Sequence, residues 1–108
     1  MLRFSLLLLS VFAFGSIASG TYIVKNATIS SIANTSSNVD RFIIWIEGGN
    51  GVCVGKAITF PRSATTSAEV HQRAYSAALT AFTTGSKIDI HNYHGEDCTN
   101  ASYIRLVK

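Results

Sequence analysis

Charge is scarce in this chain. Charged residues make up only 14% of its 108 residues, with 9 Lys and Arg against 6 Asp and Glu, while hydrophobic residues make up 47%. Intrinsic disorder needs the opposite balance, low hydrophobicity with high net charge, so it is excluded. A nucleic-acid binder of this size carries a dense basic face. The formal net charge here is only +3 and the cations are scattered, which argues against nucleic acid as a partner. The length leaves no room for a multidomain enzyme. Glycine patterns of the Walker or Rossmann kind and the Gly-x-Ser-x-Gly elbow are missing as well, so no phosphate cradle or serine-hydrolase site is written into the chain. The expectation is a protein that is not an enzyme and holds no cofactor.

What is present begins with an address. Arg3 supplies a positive start and Phe4 to Phe14 an apolar run of about ten residues, followed by the small residues Gly15, Ser16, Ala18, Ser19 and Gly20. This reads as a secretory signal peptide over residues 1–20, cut after Ala18 or Gly20, ahead of a single domain over residues 21–108. The run is too short for a spanning helix, which needs about 20 apolar residues, and no second stretch replaces it. The product is expected to be secreted or periplasmic, with no stable membrane insertion. Export gives the two cysteines a role. Cys53 and Cys98, an even pair without Cys-x-x-Cys spacing, read as one disulfide in an oxidising compartment.

Hydrophobic periodicity predicts five strands and one helix. Tyr22 to Ala33 reads as a long first strand whose alternation slips near Ser30-Ser31, the mark of a bulge. Arg41 to Glu47 alternates cleanly, with Phe42, Ile44 and Ile46 on one face and Ile43 and Trp45 on the other. After the turn Gly48-Gly49-Asn50-Gly51, a third strand is expected over Val52 to Phe60, stopped by Pro61. Thr66-Ser67-Ala68-Glu69 matches a capping box with Thr66 as N-cap, and Gly85 supplies the left-handed end of the helix. Lys87 to Tyr93 and Ser102 to Val107 complete the set, with Ile88, Ile90, Ile104 and Leu106 inward and Asp89 outward. The order β-β-β-α-β-β is that of a mostly β, OB-fold-like five-stranded barrel plugged by its helix. A plain sheet with one packed helix competes with it.

The stretches Arg73-Ala74-Tyr75 and Thr84-Gly85-Ser86-Lys87-Ile88-Asp89-Ile90-His91 resemble the B subunits of bacterial AB5 toxins of the subtilase-cytotoxin and typhoid-toxin kind. The chain is also similar to a group of short exported bacterial proteins of unknown function. The resemblance covers the element order of residues 21–108 and about twenty residues in detail. It implies an OB barrel, a pentameric homo-oligomer and the binding of cell-surface glycans. No motif matches the sugar-contacting residues of those proteins, so none is carried over.

Candidate chemistry follows from side-chain type. His91, His94, Glu96 and Asp97 offer nitrogen and oxygen ligands, but residues three apart on a strand point to opposite faces, so a solvated turn is favoured over a metal site. His71, on the apolar arc of the helix, reads as a half-buried, hydrogen-bonded histidine rather than a base. Asp89 and Glu47 make no buried acid pair of the glycosidase kind. Asn26, Asn34 and Asn100 head glycosylation-type triplets, which arise by chance in a chain rich in serine and threonine. For binding, Trp45, Tyr93 and His94 are the candidate ligand residues. Aromatic faces stack on the C–H faces of sugars while polar neighbours bond the hydroxyls. Tyr103 shares the outward phase. The leading expectation is a glycan- or surface-binding module; the alternative is an exported protein that binds a partner protein, as an inhibitor or envelope component.

Overall fold

A computed structural model describes residues 20–108. The signal peptide and its two candidate cleavage points fall, apart from Gly20, outside the described residues. The elements run β1 (Thr21–Ala33), β2 (Arg41–Glu47), β3 (Ile58–Pro61), a 3-10 turn over Arg62–Ala64, α1 (Ala68–Thr84), β4 (Lys87–Asn92) and β5 (Tyr103–Val107). All strand pairs are antiparallel, in the spatial order β3-β2-β1-β4-β5.

The centre of the sheet is the bent strand β1. Its C-terminal half pairs with β2 and its N-terminal half with β4. The expected slip at Ser30-Ser31 is there, as a register shift between Ile29 and Ser31. Against β4 the register shifts twice more, between Tyr22 and Val24 and between Val24 and Ala27, where Asn26 takes a left-handed φ of 59°. Bulges of this kind increase local twist, so the two halves of the sheet can curl around one core. That core holds Ile23, Val24, Phe42, Ile44, Ile58, Phe60, Ile88 and Ile90, each at most 2% exposed, capped by Ala74, Ala78 and Ala81 of α1. Small side chains let the helix approach the sheet closely.

Closure is where the barrel expectation fails. The sheet is open, with no ladder between β3 and β5. The third strand is four residues long rather than nine, because Val52 to Lys56 forms turns instead of strand. Gly51 and Gly55 hold left-handed φ of 124° and 81°, and Cys53 is tied by its sulfur, so an extended ladder cannot run through them. The gap beside β3 is filled by the segment before β5. Thr59 N–H donates to the Cys98 carbonyl at 2.8 Å, and Ala101 N–H donates to the Thr59 carbonyl at 3.1 Å. The Cys53–Cys98 disulfide, with Cα atoms 5.8 Å apart, joins the same two regions covalently.

Three smaller expectations change. The N-cap is Ser67, whose Oγ accepts from Val70 N–H at 3.2 Å, one residue later than Thr66, because Thr65 and Thr66 still belong to the turn. Leu106 is 37% exposed rather than inward, since β5 is an edge strand with a neighbour on one side only. Asp89 alternates with Ile88 and Ile90 as expected but is 3% exposed, covered from solvent rather than facing it. Gly85 ends α1 in the left-handed conformation with φ 75°, and His71 Nε2 donates to the Phe60 carbonyl at 2.8 Å.

Candidate functional site

The richest concentration of side-chain chemistry lies on the outer face of β1, β4 and β5. Cross-strand register places Tyr22 opposite His91 and His91 opposite Tyr103, and Tyr93 follows at the end of β4. The His91 ring is the hub. Its centroid is 4.8 Å from Tyr22, 4.5 Å from Tyr93 and 6.0 Å from Tyr103. Tyr22 and Tyr103 meet edge-on at 6.1 Å, as do Tyr93 and Tyr103 at 6.2 Å. Edge-to-face contacts of this kind stabilise aromatic pairs beyond their area, and four of them fix the ring orientations. Tyr93 is 55% exposed, so the cluster presents one open aromatic face.

Cations flank the rings. Lys25 Nζ lies 4.5 Å from the Tyr22 centroid and Arg105 Cζ 5.3 Å from it, both within cation–π range. Arg105 is anchored by Asp89, donating from Nη2 at 2.8 Å and from Nε at 3.3 Å to Oδ2. Asp89 Oδ1 accepts the Asn26 N–H at 3.0 Å. Burial alone pushes this carboxyl up, but the Arg105 and Asn26 hydrogen bonds outweigh it and hold it below the usual carboxylate range. His91 goes the other way for a base: burial pushes its imidazole below the ordinary value, and its Nδ1 is buried without a partner. At pH 7 the hub is a neutral ring.

The turn after β4 is shaped by Asn92, which is fully buried. Its Oδ1 accepts from His94 N–H at 2.7 Å and Gly95 N–H at 3.2 Å, while its Nδ2 donates to the Asp97 carbonyl at 2.8 Å. Asp97 in turn accepts from Thr99 and Asn100, which holds its carboxyl down at about 2. These bonds aim Tyr93 and His94 outward. Next to them, α1 and the end of the sheet enclose a cleft of about 370 Å³, with Thr65, Thr66 and Val70 on one side and Tyr93 and Tyr103 on the other. That volume is at the small end of ligand pockets.

The candidate ligand residues therefore separate. Tyr93 and His94 stand together beside the cleft, His94 exposed with Nε2 3.4 Å from the Ala64 carbonyl. Trp45 is 39% exposed on β2, opposite Ser31 at the far end of β1. Tyr22 pairs with β4 at one end of β1 and Ser31 with β2 towards the other, so Trp45 is not part of the same patch. Tyr22 and Lys25 join the site without having been singled out in the sequence. The signal was the cross-strand register of β1 with β4, which becomes readable only once the shifts on both sides of Val24 are placed. Among the described residues, no group of three or more His, Cys, Asp and Glu side chains stands together to hold a metal.

The chain belongs to DUF5992, a family of unknown function, whose model matches residues 2–108. No curated protein and no solved structure matches it. The disulfide of this DUF5992 chain suggests a compartment other than the cytoplasm. Among the described residues no helix is long and apolar enough to cross a membrane.

Proposed function

We propose that this DUF5992 protein is an exported, non-catalytic binding module that recognises a glycan through the Tyr22–His91–Tyr93–Tyr103 face. The observation that carries the reading is the four-ring cluster with Tyr93 open to solvent beside a cleft. Rigid aromatics lose little conformational entropy on binding and offer flat faces to sugar C–H groups. The strand order β3-β2-β1-β4-β5, with Thr59 bonded to Cys98 and Ala101 across the gap, supports reading the sheet as an opened OB barrel. The resemblance to toxin B subunits supports the same ligand class and extends it to a ring of identical subunits. Trp45, on a separate face, then belongs to a subunit contact or to a second binding surface.

The test is a glycan array followed by titration calorimetry on the secreted protein. Saturable sugar binding is expected, weakened at least tenfold by Tyr93→Ala and little changed by Trp45→Ala. Absence of any saturable sugar binding rejects the proposal. One observation favours a second reading, capture of a partner protein: Leu79 and Phe82 are 39% and 44% exposed on α1. Binding lost on Phe82→Ser but kept in Tyr93→Ala selects that alternative.

A further inference from the structure

The cleft beside the ring cluster has properties that the open aromatic face lacks. No charged side chain lines it; its walls are the rings of Tyr93 and Tyr103, the side chains of Val70 and Ala64, and threonines of the turn before α1. The Thr65 hydroxyl is already committed, donating to the carbonyls of Arg62 at 2.7 Å and Ser67 at 3.0 Å. Ser102 is not. It contributes to the lining, is 6% exposed, and its Oγ is buried without a hydrogen-bond partner. An unpaired buried hydroxyl is a standing cost to the folded chain, removed when an acceptor enters. A second hollow shares Val70, Ser102 and Tyr103 and continues along the seam between α1 and β5.

We infer that this cleft is the subsite for the acetamido group of a neutral 2-acetamido sugar, with Ser102 donating to the acetamido carbonyl. The inference rests on the glycan reading and names its ligand class. The fit is chemical. A methyl group needs an apolar recess, and Val70, Ala64 and Tyr103 supply one. A carbonyl needs a donor inside that recess, and Ser102 holds one with no other use for it. The pyranose ring would then lie against Tyr93 at the rim, with the exposed Thr66 offering a hydroxyl at the mouth. No charged side chain lines the cleft itself, and Arg73 stands only in the adjoining hollow, so a carboxylate entering the recess meets no direct counter-charge and a neutral sugar is favoured.

The decisive experiment titrates the secreted protein with the methyl glycosides of N-acetylglucosamine, N-acetylgalactosamine, glucose and galactose, and with N-acetylneuraminic acid. At least one acetamido sugar is expected to bind ten or more times tighter than its parent hexose, the effect of about one well-made hydrogen bond. Ser102→Ala should reduce that ratio severalfold without lowering the melting temperature, because the lost hydroxyl had no partner. Val70→Phe, which fills the recess, should abolish the ratio while hexose binding persists. Equal binding of parent and acetamido sugars, a preference untouched by both variants, or stronger binding of the anionic sugar overturns the cleft assignment and leaves the glycan reading standing. No saturable binding of any of these sugars, or of any glycan on the array, overturns both.

Discussion

Asp97 tests whether the loop that carries Tyr93 and His94 is held by a charge. Its Oδ2 accepts from Thr99 Oγ1 at 2.6 Å, Asn100 Nδ2 at 2.8 Å and Thr99 N–H at 3.3 Å, and its Oδ1 from Asn92 Nδ2 at 3.1 Å. These donors, Thr99 first, favour the carboxylate and hold its pKa at about 2, against 3.8 for the free group. The unfolded chain therefore takes up the proton first as pH falls. The stabilisation is fully present above 3.8 and is lost as pH drops through about 2. The gap between 3.8 and about 2, at roughly 1.4 kcal/mol per tenfold, sets an upper bound near 2.5 kcal/mol, and solvent screening of this exposed residue reduces it to about 1 kcal/mol. The assay is urea denaturation followed by circular dichroism at pH 2, 3, 4 and 5, with and without Asp97→Asn. At pH 5 the variant should be less stable by about 1 kcal/mol, or roughly 4–8 °C in melting temperature for a domain of this size. At pH 2 the two proteins should converge. Parallel stability curves across the whole range would refute the argument, because the carboxylate would then contribute nothing that its amide cannot.

The remaining predictions concern the frame. Gly85→Val should destabilise by about 1 kcal/mol or more through backbone strain alone, since nothing lies within 4 Å of the added Cβ at its φ of 75°; an unchanged melting curve removes the left-handed helix end. Replacing both Cys53 and Cys98 by alanine opens a loop of sequence separation 45 and should cost about 4 kcal/mol, read from urea midpoints. The parent protein should weigh two daltons less before reduction than after, and an identical mass contradicts the bridge. Arg105→Met should lower the urea midpoint by leaving the buried Asp89 carboxylate without its hydrogen-bonded cation, and Asp89→Asn in that background should restore part of it. Equal stability of Arg105→Met and wild type would mean that the pair does not brace the sheet.

Much of the frame is legible because single residues decide it. The alternation of Phe42, Ile44 and Ile46 against Ile43 and Trp45 fixes the faces of β2, and Gly85 fixes where α1 ends. The segment from Val52 misleads for a physical reason. Its apolar residues mimic a strand, but Val52 and Val54 are exposed in turns that the glycines and the Cys53 sulfur impose. Barrel closure is illegible for a different reason: it depends on how far β3 reaches, and Pro61 and those turns leave it four residues. Of the candidate site, Tyr93, His94 and Tyr103 are readable as outward polar and aromatic positions. Tyr22 is not, because its partner His91 lies across a register that two bulges set. Ser102 gives no signal at all, since an unpartnered hydroxyl is a property of packing.

Asp89 links the frame to the site. A carboxylate buried to 3% exposure is tolerable only where every oxygen finds a donor, and here one oxygen takes the amide of Asn26 and the other the guanidinium of Arg105. The first bond satisfies a backbone group that the bulge in β1 removes from the ladder. The second bond draws Arg105 over the Tyr22 ring. The residue that stabilises the bend in β1 thus also sets the distance between Tyr22 and the rings of β4 and β5. A straight β1 would carry Tyr22 in a different register against His91, and the four-ring face would not assemble. The bulge is therefore as much a part of the proposed binding surface as the aromatic side chains it positions.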